Sequence, residues 1–99
     1  MEFDLDQVNI VHNESARRFE ADVQGLTAFL VYKIAPSCMI VQHTEVPPEL
    51  ESRGLAAKLT CAALDFARSQ NLLVVPACPY TASFIAKHPE YSDLLVPRQ

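Results

Sequence analysis

Residues 38–77 constrain the fold most, because they place an amphipathic helix between two apolar segments of strand length. The first segment, CMIVQHTEV over residues 38–46, is predicted to be a strand. From Gly54 onward the apolar residues follow a helical period on one stripe, and this helix is predicted to end near residues 69–71. The stripe consists of Leu55, Leu59, Ala62, Ala63 and Phe66.

The segment LLVVPA at residues 72–77 completes a strand–helix–strand unit. Such a unit crosses over with a right hand, so its two strands lie parallel in one sheet, and residues 38–46 are the natural neighbour. The segment is short and continuously apolar, which predicts a strand that is buried on both faces.

In the first half of the chain, the apolar residues follow the two-residue period of strands rather than the helical period. Apolar and polar residues alternate in residues 8–13 and 17–23, whereas residues 26–34 are more continuously apolar. The dipeptide QG before the third segment predicts a hairpin turn, because Gly25 supplies a positive φ. Together with residues 38–46, these segments predict a four-stranded antiparallel meander.

A second helix is predicted over residues 79–88. Proline suits the first position of a helix, and Tyr80, Phe84 and Ile85 share its buried side. The predicted order of elements is ββββαβα. This order is typical of an α+β fold with a mixed, α/β-type sheet, here in a single domain over residues 1–99.

Composition narrows the function classes. Eight basic and twelve acidic residues give a net charge of −4, which argues against direct binding to nucleic acid or to an anionic membrane. No apolar run approaches the roughly 20 residues that span a bilayer, and no secretion leader precedes the first strand. Cys38, Cys61 and Cys78 lack metal-type spacing, so we interpret them as free thiols, the first two as packing residues. A cytoplasmic or nuclear protein without a metal is therefore expected.

The stretch VPPELESRGLAAKL, residues 46–59, holds one of only two glycines in the chain. It leads into the N-terminus of the first helix, where backbone N–H groups have no helical partner and the macrodipole adds positive charge. A loop that lays its amides against a phosphate needs a residue without a Cβ, and Gly54 meets that need. Small Ala56 and Ala57 follow it, and Arg53 adds a cation. A simple turn would also explain the glycine.

The sequence ESRGLA resembles the acyl-CoA loop of the GCN5-related N-acetyltransferases, whose pattern is Gln/Arg-x-x-Gly-x-Gly/Ala. Gly54 matches the glycine and Ala56 the last small residue, while Glu51 departs from the first position and puts an acid near the pyrophosphate. The longer stretches HTEVPPELESRGLA and VVPACPYTASFIAKHPEY resemble the minimal subfamily, of about 100 residues. Its stretches look like HTEVPPELxGRGIA and PxCPFxxxYIxxHPEY, and the resemblance covers residues 8–95.

The resemblance implies that the two parallel strands splay apart at their carboxyl ends and that acetyl-CoA lies in this wedge. Ligands of open α/β sheets bind at the carboxyl ends of strands, so the predicted topology agrees. Main-chain groups of Thr44, Glu45 and Val46 would pair with the pantetheine like an added strand. The pyrophosphate would be bound by the loop and the helix start, at Arg53, Gly54, Leu55, Ala56 and Ala57.

The implied reaction is transfer of an acetyl group from the CoA thioester to an amine of a small molecule or a protein. His43 is either the base that accepts the amine proton or a hydrogen-bonded surface histidine. Glu45 shares its face and is interpreted as a solvated or structural acid. Cys78 immediately precedes the last helix. It would donate a proton to the CoA thiolate, attack the thioester, or only pack as a small buried residue.

Larger members of the superfamily place a tyrosine in the last helix to protonate the thiolate, and Ile85 holds that position here. Tyr80 lies one turn earlier and could substitute, although its spacing from Phe84 predicts a core position. This departure, together with Glu51, leaves a second interpretation open, a weakly active or inactive CoA-binding regulatory or interaction module. A third interpretation ignores the resemblance and predicts only a small α+β interaction domain. The chain is expected to be a monomer or a weak oligomer.

Overall fold

The computed structural model describes residues 3–96. In this part of the chain, five strands and two α-helices follow one another in the predicted order ββββαβα. They are β1 Val11–Asn13, β2 Arg18–Val23, β3 Leu26–Ala35, β4 Cys38–Glu45, α1 Leu55–Ser69, β5 Leu73–Pro76 and α2 Pro79–Lys87. Short 3₁₀ segments at Leu5–Gln7, Pro48–Leu50 and Pro89–Leu94 were not predicted. The α+β class with a mixed sheet is confirmed.

The strands lie across the sheet in chain order, from β1 to β5. β1 to β4 pair antiparallel as the predicted meander. The hairpin turn at Gln24 and Gly25 has a positive φ at both residues, as a type I′ turn requires. β4 and β5 pair parallel, and this pairing begins where Cys38 lies opposite Leu73. The parallel neighbour predicted from the crossover is therefore confirmed.

The prediction that residues 72–77 are buried on both faces is wrong. β5 is an edge strand in which Val74 is fully buried and Leu73 is 37% exposed. The chain returns along its outer edge after the last 3₁₀ segment. There Val74 and Leu95 form a parallel bridge, and the N–H of Val96 donates to the carbonyl of Val74 at 3.2 Å. A short return of the chain, rather than a full strand, therefore covers this edge.

The hydrophobic core lies between one face of the sheet and α1. Phe66 of α1 makes edge contacts with His12 and Phe19, with ring centroids 4.4 Å and 6.0 Å apart. Tyr32 is 1% exposed, and its hydroxyl lies 2.6 Å from Nε2 of His12. The polar end of this large buried side chain is thus hydrogen-bonded, as a core tyrosine requires.

α2 and the last 3₁₀ segment pack beside α1 on the same face. The ring of Tyr91 lies 6.2 Å from that of Phe84, and its hydroxyl donates to Asp65 of α1 at 3.1 Å. Arg68 binds Asp93 through two guanidinium nitrogens, at 2.8 Å and 3.0 Å. These contacts fix α2 and the last 3₁₀ segment relative to α1, and the candidate site lies near the first residues of the two helices.

The opposite face of the sheet carries side chains that alternate with the core residues. Phe29, Val31 and Ile40 are half-buried there and lie outside the core cluster. The guanidinium of Arg18 covers the Phe29 ring at 3.9 Å from its centroid. This face therefore combines partly exposed apolar surface with charged groups.

Candidate functional site

β4 and β5 separate at the carboxyl end of β5, and their separation opens a wedge in the sheet. The pairing ends where Val41 lies opposite Pro76, and the N–H of Cys78 donates to the carbonyl of Val41 at 2.9 Å. β4 continues through residues 42–45, paired with β3 but with no described strand on its other side. Main-chain groups on that side are open to a ligand that adds as a strand.

A β-bulge decides which side chains of β4 point to each face. In the register of β3 with β4, Gln42 is an extra residue without a partner of its own. Beyond it, Thr44 lies opposite the buried Leu30 and therefore on the helix-covered face. His43 and Glu45 point to the opposite face, and they share it as the alternation predicted.

The loop between β4 and α1 turns at Gly54, the residue before the helix. Gly54 has a φ of 90°, in the left-handed region that glycine adopts without strain. A Cβ here would lie 2.9 Å from Cδ2 of Leu5. Lys58 fixes the same N-terminal segment by donating to the carbonyl of Leu5 at 2.6 Å. This contact with Leu5 was not predicted from the sequence, which suggested either a close ligand or a simple turn at Gly54.

The amides at the start of α1 are positioned to bind an anion. No side chain caps this end of the helix, so its first N–H groups lack a partner within the helix. A groove of 440 Å³ runs past them. Its lining consists of Val46, Leu50, Glu51, Ser52, Gly54, Leu55, Ala56, Ala57 and Tyr80. Of the predicted CoA-binding residues, Arg53 is exposed outside this lining, and Thr44 and Glu45 belong to β4 at the wedge.

The prediction that Tyr80 packs in the core is wrong. Its side chain is 41% exposed and lines the groove, whereas Phe84 and Ile85, one turn further, are buried. The physical reason is that Tyr80 lies in the first turn of α2, beside the start of α1, so that it faces the groove rather than the core. Burial raises the pKa of the Tyr80 hydroxyl, and nearby Cys61 and Cys78 raise it further. The hydroxyl therefore keeps its proton at neutral pH and is able to donate it.

Cys78 is the residue before α2 and is only 5% exposed. Its sulfur lies 3.8 Å from the hydroxyl oxygen of Thr44, so the structure brings these two predicted site residues together. Burial raises the pKa of the Cys78 thiol, but the backbone amide of Thr81 and the hydroxyls of Thr44 and Thr81 lower it. With a further contribution from the Tyr80 amide, the pKa lies below its ordinary value.

His43 and Glu45 lie apart from Cys78, on the other face of β4. Nε2 of His43 is 3.5 Å from Oε1 of Glu45, and the two side chains are 58% and 61% exposed. The ring of Phe29 lies beside His43, at 6.3 Å between centroids. The backbone of β4 therefore separates the predicted base from the thiol.

The remaining thiols lie outside the wedge. Cys61 packs against the core, as predicted, and Cys38 is half-buried at the start of β4. Burial raises the pKa of the Tyr91 phenol, and its contact with Cys61 raises it further. Within residues 3–96, no group of three His, Cys, Asp or Glu side chains is arranged to hold a metal ion. No helix of this region is long and apolar enough to cross a membrane.

Comparisons with known proteins agree with this arrangement. Residues 18–94 match the sequence profile of the family described as GCN5-related N-acetyl-transferase. Over 95 residues, the chain is 32% identical to Protein NATD1 of Bos taurus and 30% identical to Protein NATD1 of Homo sapiens. Each alignment covers 91% of this chain and 84% of the relative.

A comparison with solved structures finds a similar fold. A protein from Staphylococcus aureus, described as GCN5-like and solved in solution by NMR, superposes with a TM-score of 0.71. The superposition covers 96% of this chain and 94% of the other, at 24% sequence identity. The family match runs from the start of β2 to Leu94 and so includes the wedge, the Gly54 loop and Cys78. The chain belongs to the GCN5-related N-acetyltransferase family.

Proposed function

We propose that the protein binds acetyl-CoA and transfers the acetyl group from the thioester to an amine. The observation that carries this proposal is that three features adjoin, because Val46 after β4 and Tyr80 near Cys78 both line the groove. These features are the open edge of β4 at residues 42–45, the groove along the Gly54 loop, and the Cys78 thiol at the wedge. Acetyl-CoA has a group that suits each feature: its amide-containing arm suits the β4 edge, its pyrophosphate the groove, and its thioester the region of Cys78.

Main-chain groups carry most of the proposed binding. The pantetheine amides pair with the open edge of β4, near Thr44, Glu45 and Val46, as an added strand would. The pyrophosphate lies at the open amides of the α1 N-terminus, from Arg53 to Ala57, where the helix dipole favours negative charge. The small side chains of Ala56 and Ala57 leave room for this approach.

The reaction needs a neutral amine, a donor for the tetrahedral oxyanion, and a proton for the departing thiolate. The amine nitrogen attacks the thioester carbon, and a backbone N–H near the end of β4 stabilises the oxyanion. The C–S bond then breaks. His43, on the more exposed face of β4, accepts the amine proton directly or through water.

Two groups line the thiol side of the site. Tyr80, which keeps its proton at neutral pH, or Cys78 protonates the CoA thiolate. Alternatively, Cys78 attacks the thioester, releases CoA and carries the acetyl group to the amine. Both routes end with an acetylated amine and free CoA.

A second candidate function is a CoA-binding module with little turnover. Glu51 favours it, because this carboxylate lines the groove in which the pyrophosphate would lie. A negative charge there weakens the binding of an anionic ligand. The two candidates share a ligand and differ in catalysis.

Calorimetric titration with acetyl-CoA and with CoA tests the binding that both candidates share. Release of free CoA in the presence of lysine peptides and small primary amines then tests turnover. We expect binding at micromolar concentrations and amine-dependent release of CoA. Binding without release would support the regulatory module, and the absence of binding to either ligand would overturn both proposals.

Replacing Glu51 with glutamine is expected to tighten CoA binding about three- to tenfold, because one charge repulsion of about 1 kcal/mol is removed from the phosphate groove. Calorimetry at low and at moderate salt measures this change, which should shrink as salt rises. Glu49→Gln is the matched control, since this exposed acid lies outside the groove lining. Equal gains from the two variants would mean that only net charge matters.

A further inference from the structure

Thr81 has a buried hydroxyl without an ordinary hydrogen bond. The residue is 0% exposed, and Oγ1 has no partner of standard geometry among the described residues. An unsatisfied hydroxyl destabilises a folded protein, whereas valine would fill the same volume without a polar atom. Packing alone therefore does not explain a threonine at this position.

The position of Thr81 relative to Cys78 is fixed by the start of α2. Cys78 is the N-cap, Pro79 opens the helix, and Thr81 is its third residue. The side chain of an N-cap residue faces the second and third residues of the helix that follows it. On the other side of the sulfur, the hydroxyl of Thr44 lies at 3.8 Å. The thiol therefore lies next to Thr44 and at the start of the helix whose first turn carries Thr81.

The two protonation states of Cys78 make different demands on these neighbours. A neutral thiol donates its single proton, here toward Thr44, and is only a weak acceptor. A thiolate donates nothing and accepts strong hydrogen bonds from hydroxyl and amide groups. The Thr81 hydroxyl, unpartnered beside the thiol, would gain an acceptor when the proton leaves.

We propose that Thr81 is a positioning residue that stabilises the thiolate of Cys78 by donating its hydroxyl proton to the sulfur. Thr81 does not contact the substrate, because none of its surface is accessible. It acts through Cys78, and in this sense the proposal depends on the role assigned to that thiol. A stabilised thiolate serves both routes considered above, since it makes Cys78 a better acid and a more abundant nucleophile.

The electrostatics of the thiol agree with this geometry. Burial raises the pKa of Cys78, and the amide and hydroxyl of Thr81, together with Thr44, are among the groups that bring it below its ordinary value. No Lys, Arg or carboxylate is among the causes of this shift. Neutral donors, rather than a cation, therefore set the acidity of Cys78.

Alkylation of the intact protein by iodoacetamide, followed as a function of pH, tests the proposal. Trypsin separates the three thiols, because Cys38, Cys61 and Cys78 fall in residues 34–53, 59–68 and 69–87, respectively. In Thr81→Val we expect the alkylation midpoint of Cys78 to move to higher pH and its rate at pH 7 to fall about threefold. The fall stays modest because a more basic thiolate is also more nucleophilic. Thermal stability should be equal or higher, since an unsatisfied hydroxyl is removed.

Two matched variants separate this role from packing. Thr81→Ser keeps the hydroxyl and should keep the wild-type midpoint. Thr60 is equally buried, but its hydroxyl donates to the carbonyl of Ala56 at 2.7 Å, so Thr60→Val should leave the alkylation of Cys78 unchanged. An unchanged midpoint in a folded Thr81→Val protein would overturn the proposal, as would an equal shift in Thr60→Val.

The readout does not require acetyl-CoA or turnover. An inactive protein with the expected alkylation shift would contradict the proposed transferase and leave the role of Thr81 intact. The converse result, an active enzyme with no shift, would overturn the role of Thr81 alone.

Discussion

Gly54→Glu is expected to abolish measurable acetyl-CoA binding, with a loss of affinity of at least about 100-fold. The new carboxylate would lie at the N-terminus of α1, where the open amides are proposed to bind the pyrophosphate. Hydrogen bonds to a charged group contribute about 1.5–3 kcal/mol each, so the loss of two is sufficient for this effect. Calorimetry with acetyl-CoA measures the affinity.

Backbone strain has to be separated from the effect of charge. Gly54 has a φ of 90°, and its Cβ would meet the Leu5 side chain at 2.9 Å. Gly54→Ala introduces this strain without the charge, at about 1–2 kcal/mol of unfolding free energy. Urea denaturation should show a similar loss of stability in both variants, while binding falls much further in the glutamate variant. If the glutamate variant binds acetyl-CoA as the wild type does, the loop does not bind the pyrophosphate.

Cys78→Ala is expected to preserve acetyl-CoA affinity and to lower the acetyl-transfer rate by about 100-fold or more, the usual contribution of one proton-transfer group. Binding should survive because the side chain is small, 5% exposed and outside the groove lining. Initial rates of CoA release with a saturating amine measure the effect. Cys61→Ala is the control, since this thiol belongs to α1 and packs against the core.

Intact mass distinguishes the two routes through Cys78. If the thiol carries the acetyl group, wild-type protein incubated with acetyl-CoA alone gains one acetyl mass in residues 69–87, and Cys78→Ala does not. If it only donates a proton, neither protein gains it, and the rate still falls. An alanine variant that is as fast as the wild type would leave Cys78 with a packing role.

Local patterns were sufficient to predict most of the fold. Alternation located β1 and β2, the apolar stripe from Leu55 located α1, and the crossover rule assigned the parallel pair. The exposure of β5 was not predictable in this way, because it depends on how many strands follow it. An apolar segment such as LLVVPA has the same pattern in the middle of a sheet and at its edge.

Tyr80 illustrates a second limit of prediction from the sequence, which concerns burial. Its spacing from Phe84 places both residues on one stripe of α2, and periodicity alone assigns the whole stripe to the core. Which part of the stripe reaches the core depends on where the sheet ends, and β5 ends just before the helix begins. The signal that pointed to the candidate site was the family resemblance around Cys78. No sequence pattern indicated Thr81, whose buried hydroxyl became apparent only in the structure.

The bulge at Gln42 could not be predicted from the sequence either. Strict alternation from the buried Val41 would place His43 on the helix-covered face, yet the structure places Thr44 there. One unpaired residue reverses the facing of the last part of β4. The separation of the thiol from the candidate base therefore depends on hydrogen-bond register, which no residue pattern reports.

The contact between Leu5 and Gly54 ties the N-terminal segment to the loop before α1. Leu5 fills the space where a larger residue 54 would extend, and Lys58 anchors Leu5 from one turn inside α1. These three residues support one another, although about half the chain separates Leu5 from the other two. A substitution at Leu5 is therefore expected to disturb the loop at Gly54, although Leu5 lies far from that loop and from Cys78 in sequence.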